Sequence, residues 1–298
     1  MKKQFINSFD GKRIYCYEWD NVKNPIGIVQ IFHGMAEHAF RYDELAKVLN
    51  KQGYIVFADD HRGHGKTPEG GKKLGTYEGK DIFYDTLRDE IFFSKMLKKK
   101  HHLPLYVLGH SYGSFIAQEY ITKCNLYDKA IICGSALMKG RIDVKFGLLI
   151  AWNHKNISPH KAAKLIEKIN YSNYNKQVKN GSWLNTDEKE VKKYYADEFN
   201  GKPLSNKFYF SMFNAFRHIY RKKAINNIPK EKPIFIIAGQ DDPVGSKGKS
   251  VKKLYQFYKT NGIKNVDMKL YPNARHEILN EPKIKHQVQQ DIIKFIKK

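Results

Sequence analysis

From residue 26 the chain alternates short, continuous apolar runs with amphipathic helical patterns, and this rhythm constrains its fold more than any other feature. Residues 26–32, 54–58, 105–108 and 129–134 read as strands, whereas 41–52, 82–99 and the stretch ending near Cys124 read as helices. Apolar runs without a polar alternate belong to strands covered on both faces, and parallel strands need helical crossovers between them. The inner face of the helix over 82–99 is read as Ile82, Leu87, Ile91, Phe92 and Leu97. Ahead of this pattern, 3–8 and 13–19 flank Asp10-Gly11 and predict an antiparallel hairpin. The rhythm stops near residue 138. Residues 139–230 hold no convincing buried strand, only helical patterns at 159–170, 187–198 and 207–224. It resumes with a strand at 233–238, a helix at 247–260, a strand at 266–271 and a last helix at 283–297. The expected architecture is an α/β fold, a mostly parallel sheet with helices on both faces. Its core, residues 1–138 and 231–298, is interrupted by a helical cap at 139–230.

Composition narrows the partners. The 298 residues carry 53 Lys and Arg against 30 Asp and Glu, a formal net charge of +23. Nucleic-acid recognition favours the arginine fork, yet only eight of the basic residues are Arg. The charge therefore reads as a Lys-rich composition of the kind an AT-rich genome encodes, and specific nucleic-acid binding is not expected. No apolar run approaches the ~18 residues that span a bilayer, and the basic opening is not followed by the apolar stretch of a secretory signal. The three cysteines, Cys16, Cys124 and Cys133, are too few and too scattered for a disulfide framework or a zinc cluster. A soluble, cytoplasmic protein is expected, of undetermined oligomeric state.

The chemistry begins at Gly109-His110-Ser111-Tyr112-Gly113, a G-x-S-x-G pattern directly between a strand and a helix. A serine hydroxyl needs a base and a position clear of the sheet, which a sharp turn with small neighbours supplies. The accompanying acid and base should follow in the order Ser, Asp or Glu, His. Asp241 and Asp242 both follow the strand at 233–238, where ligand-facing groups sit in parallel sheets. Asp242 is selected because Pro243 biases it toward extended backbone. Of the twelve histidines only His276 and His286 come later; His286 lies in a helical pattern, whereas His276 sits in a polar loop, so His276 is the candidate base. Oxyanion donors are expected from the N–H of Tyr112 and, after Gly34, the N–H of Met35. His61 and His64 with Asp59 and Asp60 have weak ligand spacing, so the 60–65 loop reads as a buttress and no metal is assigned.

Taken in order, these segments resemble the α/β-hydrolase superfamily, and within it the monoacylglycerol lipase and lysophospholipase group. The matching pieces are His33-Gly34-Met35-Ala36-Glu37-His38 with Arg41-Tyr42, residues 60–65, the serine motif, Ser182-Trp183-Leu184, Asp242-Pro243-Val244-Gly245, and Arg275-His276-Glu277 with Asn280-Glu281. They span nearly the whole chain. The resemblance implies a Ser111–Asp242–His276 triad, an oxyanion hole from Met35 and Tyr112, no cofactor, and a cap enclosing an acyl channel. Tyr112 stands where members often carry Met, which leaves its backbone donor intact.

The expected activity is hydrolysis of single-chain lipid esters, monoacylglycerol first, through an acyl-enzyme on Ser111. Lysophospholipase and general carboxylesterase activities are the alternatives, and a silent lipid-binding protein is the alternative of another class. The cap residues Phe146, Leu148, Leu149, Ile150, Trp152, Trp183, Phe208, Phe210, Met212, Phe213 and Phe216 are candidates for lining the channel or touching a bilayer, with packing onto the core the main role expected for about half of them. The cap carries 18 basic and seven acidic residues between Lys139 and Pro229, which suits weak peripheral contact with anionic membrane.

Overall fold

The computed structural model describes residues 1–67, 74–77 and 79–298. Eight strands form one sheet: β1 (Lys2–Asn7), β2 (Arg13–Trp19), β3 (Gly27–Phe32), β4 (Tyr54–Asp59), β5 (Leu105–His110), β6 (Lys129–Cys133), β7 (Ile234–Gly239) and β8 (Val266–Tyr271). Their order is β1-β2-β4-β3-β5-β6-β7-β8. The β1–β2 hairpin joins antiparallel, β2 meets β4 antiparallel, and every pairing from β4 to β8 is parallel. Each residue of β3, β4, β5 and β7 is buried, which is why these segments read as unbroken apolar runs.

Side chains alternate between two cores with the period of a strand. On β7, Phe235 and Ile237 face α1 (Asp43–Lys51) and α10 (Lys285–Lys297). Ile234 and Ile236 face the layer that contains α2 (Ile82–His101), α3 (Tyr112–Lys123) and α9 (Lys249–Thr260). The α2 side chains depart from expectation: Phe83 and Phe93 are buried, whereas Ile91 and Phe92 are only half-buried. Three polar residues claim the inner face. Ser94 Oγ donates to Gln30 Oε1 (2.7 Å) and accepts from Tyr120 OH (2.8 Å), Gln30 Nε2 donates to the Glu90 carboxylate, and Thr86 is fully buried beside them.

Between β6 and β7 lie α4 (Ile142–Ile157), α5 (Lys164–Lys176), α6 (Glu188–Ala196), α7 (Asn206–Ala215) and α8 (Lys222–Asn226). Ser205 caps α7 by accepting from Phe208 N–H (3.2 Å), and Asp187 caps α6 by accepting from Lys189 N–H (2.7 Å). No helical pattern was expected over 142–157, because residues 146–152 are almost wholly apolar and lack the polar side that reveals a 3.6-residue period. One side of α4 packs on α7, so closely that a Cβ at Gly147 would lie 2.7 Å from the Phe213 ring. Its other side is exposed. Among the described residues no helix is long and apolar enough to cross a membrane.

The α2 register predicts a difference between neighbours. Phe93→Ala should cost about 3–5 kcal/mol of unfolding free energy, and Phe92→Ala about 1 kcal/mol. Urea denaturation of both variants checks this; equal losses would contradict the register.

Candidate active site

Ser111 sits between the end of β5 and the start of α3 with φ 52° and ψ −117°, a backbone state that side chains other than glycine rarely adopt. The surrounding packing explains both flanking glycines. A Cβ on Gly109 would lie 2.3 Å from the Gly113 carbonyl oxygen, and one on Gly113 would lie 2.0 Å from that of Phe32. The turn is pinned by Ser111 N–H donating to the Cys133 carbonyl (3.0 Å) and by Ser114 Oγ donating to the Ser111 carbonyl (2.5 Å).

From this turn the serine hydroxyl donates to His276 Nε2 at 2.8 Å, and His276 Nδ1–H donates to Asp242 Oδ2 at 2.9 Å. An ionised carboxylate only accepts, so Asp242 sets this tautomer. Asp242 is fully buried after β7, and its Oδ1 accepts from Val244 N–H (2.9 Å). His276 lies on the loop after β8. Burial works to lower its pKa, but the charge and hydrogen bond of Asp242, with Glu277 and Glu37 further off, outweigh it and hold the imidazole above its ordinary 6.5. The structure thus brings Ser111, Asp242 and His276 together.

Met35 and Tyr112 line the same cavity as Ser111. Tyr112 opens α3, so its N–H has no acceptor within the helix. The Met35 loop is held from below. Gly34 N–H and Tyr42 OH both donate to Glu37 Oε1, the latter at 2.8 Å. Arg41 donates to Glu37 and, at 2.6 and 3.1 Å, to both oxygens of Glu277. Despite burial, Arg41 and the His110 ring keep the Glu37 carboxyl well below its usual range. This network joins the Met35 loop to the residue after His276. Glu37, Arg41 and Glu277 have no role assignable from sequence, since nothing local pairs charges 236 positions apart. Nor does sequence alone show that the Trp183 ring covers His276, with centroids 4.9 Å apart.

Residues 60–65 brace the Met35 loop, as read. His61 N–H donates to His33 Nε2 (2.9 Å), the two rings stack at 3.8 Å, and Asp60 accepts from Ala39 N–H (2.9 Å). Among the described residues one set converges as metal ligands would: Asp59, His61 and Glu90, all buried and within 4.8 Å of one another. Asp60 and His64, weighed with them from sequence, are not part of it. Burial and the Asp59 charge raise the Glu90 pKa well above its usual range.

The cavity at Ser111 has a volume of about 70 Å³ and is lined by side chains from the segment between β6 and β7, including Trp183, Met212, Phe213 and Phe216. Arg141, Asp143, Asn170 and Tyr174 also line a second, outer cavity of about 600 Å³ between α4 and α5, with Phe146 and Ile150. Phe208 is fully buried against the Tyr112 ring, and Leu149 and Trp152 face outward.

A serine poised by histidine at the end of a parallel strand, on this sheet, defines a serine ester hydrolase with the α/β-hydrolase fold. The chain belongs to the serine aminopeptidase S33 family, whose sequence profile matches residues 23–283. A monoglyceride lipase homolog from monkeypox virus is 28% identical over 303 residues, covering 99% of this chain and 98% of its own length. A monoacylglycerol lipase from Mycolicibacterium smegmatis is 26% identical over 287 residues, covering 92% and 90%. Among solved structures, a carboxyl esterase from Bacillus coagulans in complex with glycerol superposes with a TM-score of 0.90 at 27% identity, covering 99% of this chain and 97% of that one.

Proposed function

We propose that the chain hydrolyses monoacylglycerol to fatty acid and glycerol with Ser111 as nucleophile. The observation that carries this reading is the unbroken relay from Ser111 Oγ through His276 to Asp242, at 2.8 and 2.9 Å. His276 takes the hydroxyl proton as Ser111 Oγ attacks the ester carbonyl, and Asp242 holds the tautomer and stabilises the imidazolium. The N–H groups of Met35 and Tyr112 receive the developing oxyanion. Glycerol leaves with the proton from His276. Water, deprotonated by His276, then releases the fatty acid and restores Ser111.

The substrate assignment rests on the two cavities and on the named activities of the relatives. The inner cavity suits the reacting ester and the first methylenes, and the apolar outer groove suits the rest of one acyl chain. That the Bacillus coagulans carboxyl esterase was solved with glycerol supports a glycerol-sized alcohol. The Arg141 guanidinium that lines both cavities is paired with Asp143 through Nε and Nη2, so it is not free to select a phosphate headgroup over glycerol.

The exposed side of α4 supports peripheral contact with lipid. Ile142, Phe146, Leu149, Trp152 and Ile157 are between 52% and 82% exposed, an apolar row beside Lys145 and Lys155. Such a face inserts shallowly into an interface, and its lysines favour anionic lipid.

A hydrolysis panel of monoacylglycerols, lysophospholipids and short p-nitrophenyl esters should show highest kcat/KM for monoacylglycerol. Ser111→Ala should lower kcat by about 10⁶. Only neutral His276 accepts the proton, so kcat/KM should fall as pH drops through a pKa above 6.5. Preference for lysophospholipid would replace the substrate, and near-wild-type turnover in Ser111→Ala would remove the nucleophile. In vesicle sedimentation, anionic vesicles should retain more protein than neutral ones, and Phe146→Ser with Trp152→Ser should abolish the difference. Equal binding to both vesicle types would contradict the lipid-facing role.

A further inference from the structure

The cap segment around Trp183 is bound to the His276 loop from end to end. His276 N–H donates to the Trp183 carbonyl (3.4 Å) and Glu277 N–H to that of Leu184 (2.9 Å). Arg275 Nη1 donates to the Ser182 carbonyl (2.7 Å), and Thr186 N–H to the Glu281 carboxylate (3.0 Å). On its far side the Trp183 ring is backed by Tyr171, stacked at 5.8 Å, and Tyr174 at 5.1 Å. The indole is only 8% exposed. It is therefore a rigid aromatic plane held against the imidazole by two elements, in place of a loose lining of the acyl cavity.

We propose that Trp183 is a positioning residue for His276, whose indole face stabilises the imidazolium formed when the histidine takes the Ser111 proton. The inference rests on the triad reading above. A cation within about 6 Å of an indole centroid is attracted by the ring quadrupole, most strongly where water is excluded. The imidazole centroid is 4.9 Å away at an interplanar angle of 41°. Neutral imidazole lacks that attraction, so the interaction strengthens as the proton moves, which is where stabilisation accelerates the reaction.

The other groups around His276 leave room for this contribution. Asp242 takes Nδ1–H, and the hydroxyl of Ser111 faces Nε2. His110 covers the ring from another side, its centroid 5.1 Å away, and lies 3.4 Å from Glu37 Oε1 and from the His276 carbonyl. Glu37 and Glu277 are bridged by Arg41, which offsets their charge. Arg275 spends its guanidinium on the carbonyls of Ser182 and Asn185. Burial holds the Cys133 thiol protonated. Among the described residues Asp242 is the carboxylate that hydrogen-bonds the imidazole, and the indole supplies the aromatic face.

The test is the acidic limb of kcat/KM against pH, which reports the free enzyme. Trp183→Leu keeps an apolar cover but removes the quadrupole. Its limb should move down by about half a unit to one unit, with the plateau falling about tenfold or less, and Trp183→Phe should lie between Leu and wild type. Tryptophans carrying one, two and three ring fluorines, placed at 183, keep shape while draining the π face, so they report even if Trp183→Leu fails to fold. Their limbs should step down with each fluorine. A limb that stays put across the fluorinated series, or that rises because water enters, overturns the inference. Ser111→Ala, assayed alongside, separates the two readings. Activity persisting there removes the triad and this inference together, whereas its loss with an unshifted limb overturns the role of Trp183 alone.

Discussion

The left-handed backbone of Ser111 is the constraint around which the rest of the site is arranged. A residue with a Cβ held at such angles costs on the order of 1–3 kcal/mol, and it persists only where its surroundings over-determine it. Here they do. The end of β5 is gripped by β3 on one side and β6 on the other, the Cys133 carbonyl takes the Ser111 N–H, and neither Gly109 nor Gly113 has room for a methyl group. The wholly buried central strands β3, β4 and β5 supply the rigidity, and the turn converts it into a hydroxyl projecting past the strand ends.

A second layer of order comes from charge. Arg41 lies between Glu37 and Glu277, so the loop bearing Met35 and the loop bearing His276 share one buried cation. Such networks are weak sources of stability, because desolvation offsets their Coulomb energy. They do specify geometry, since losing any member strands a buried charge. Together with the seam between residues 182–186 and 275–281, this network makes the position of His276 depend on the first part of the core, the last part and the helices between β6 and β7.

Much of this was legible before any coordinates. Runs such as 26–32 and 233–238, short and rich in Ile and Val, read as strands covered on both faces, and the glycines about Ser111 marked a turn that tolerates nothing larger. Strand pairing was less legible, since nothing local shows that β2 meets β4 antiparallel. On α2 the apolar count pointed to Phe92, but Glu90 and Ser94 bond into the core, Thr86 is buried beside them, and Phe93 is turned inward. On α4 a nearly unbroken apolar run concealed a helix, because one side packs on α7 and the other remains exposed. The Arg41 bridge and the Trp183 cover join residues far apart in sequence, and only the closed fold brings them into contact.

The central claim is that Ser111 is the nucleophile. It is tested most directly by reacting the intact protein with a fluorophosphonate and mapping the adduct by mass spectrometry. The account predicts one adduct per chain, on the peptide containing Ser111, and none on Ser111→Ala. An adduct on another residue, or unmodified wild-type protein under conditions where it hydrolyses esters, would contradict it.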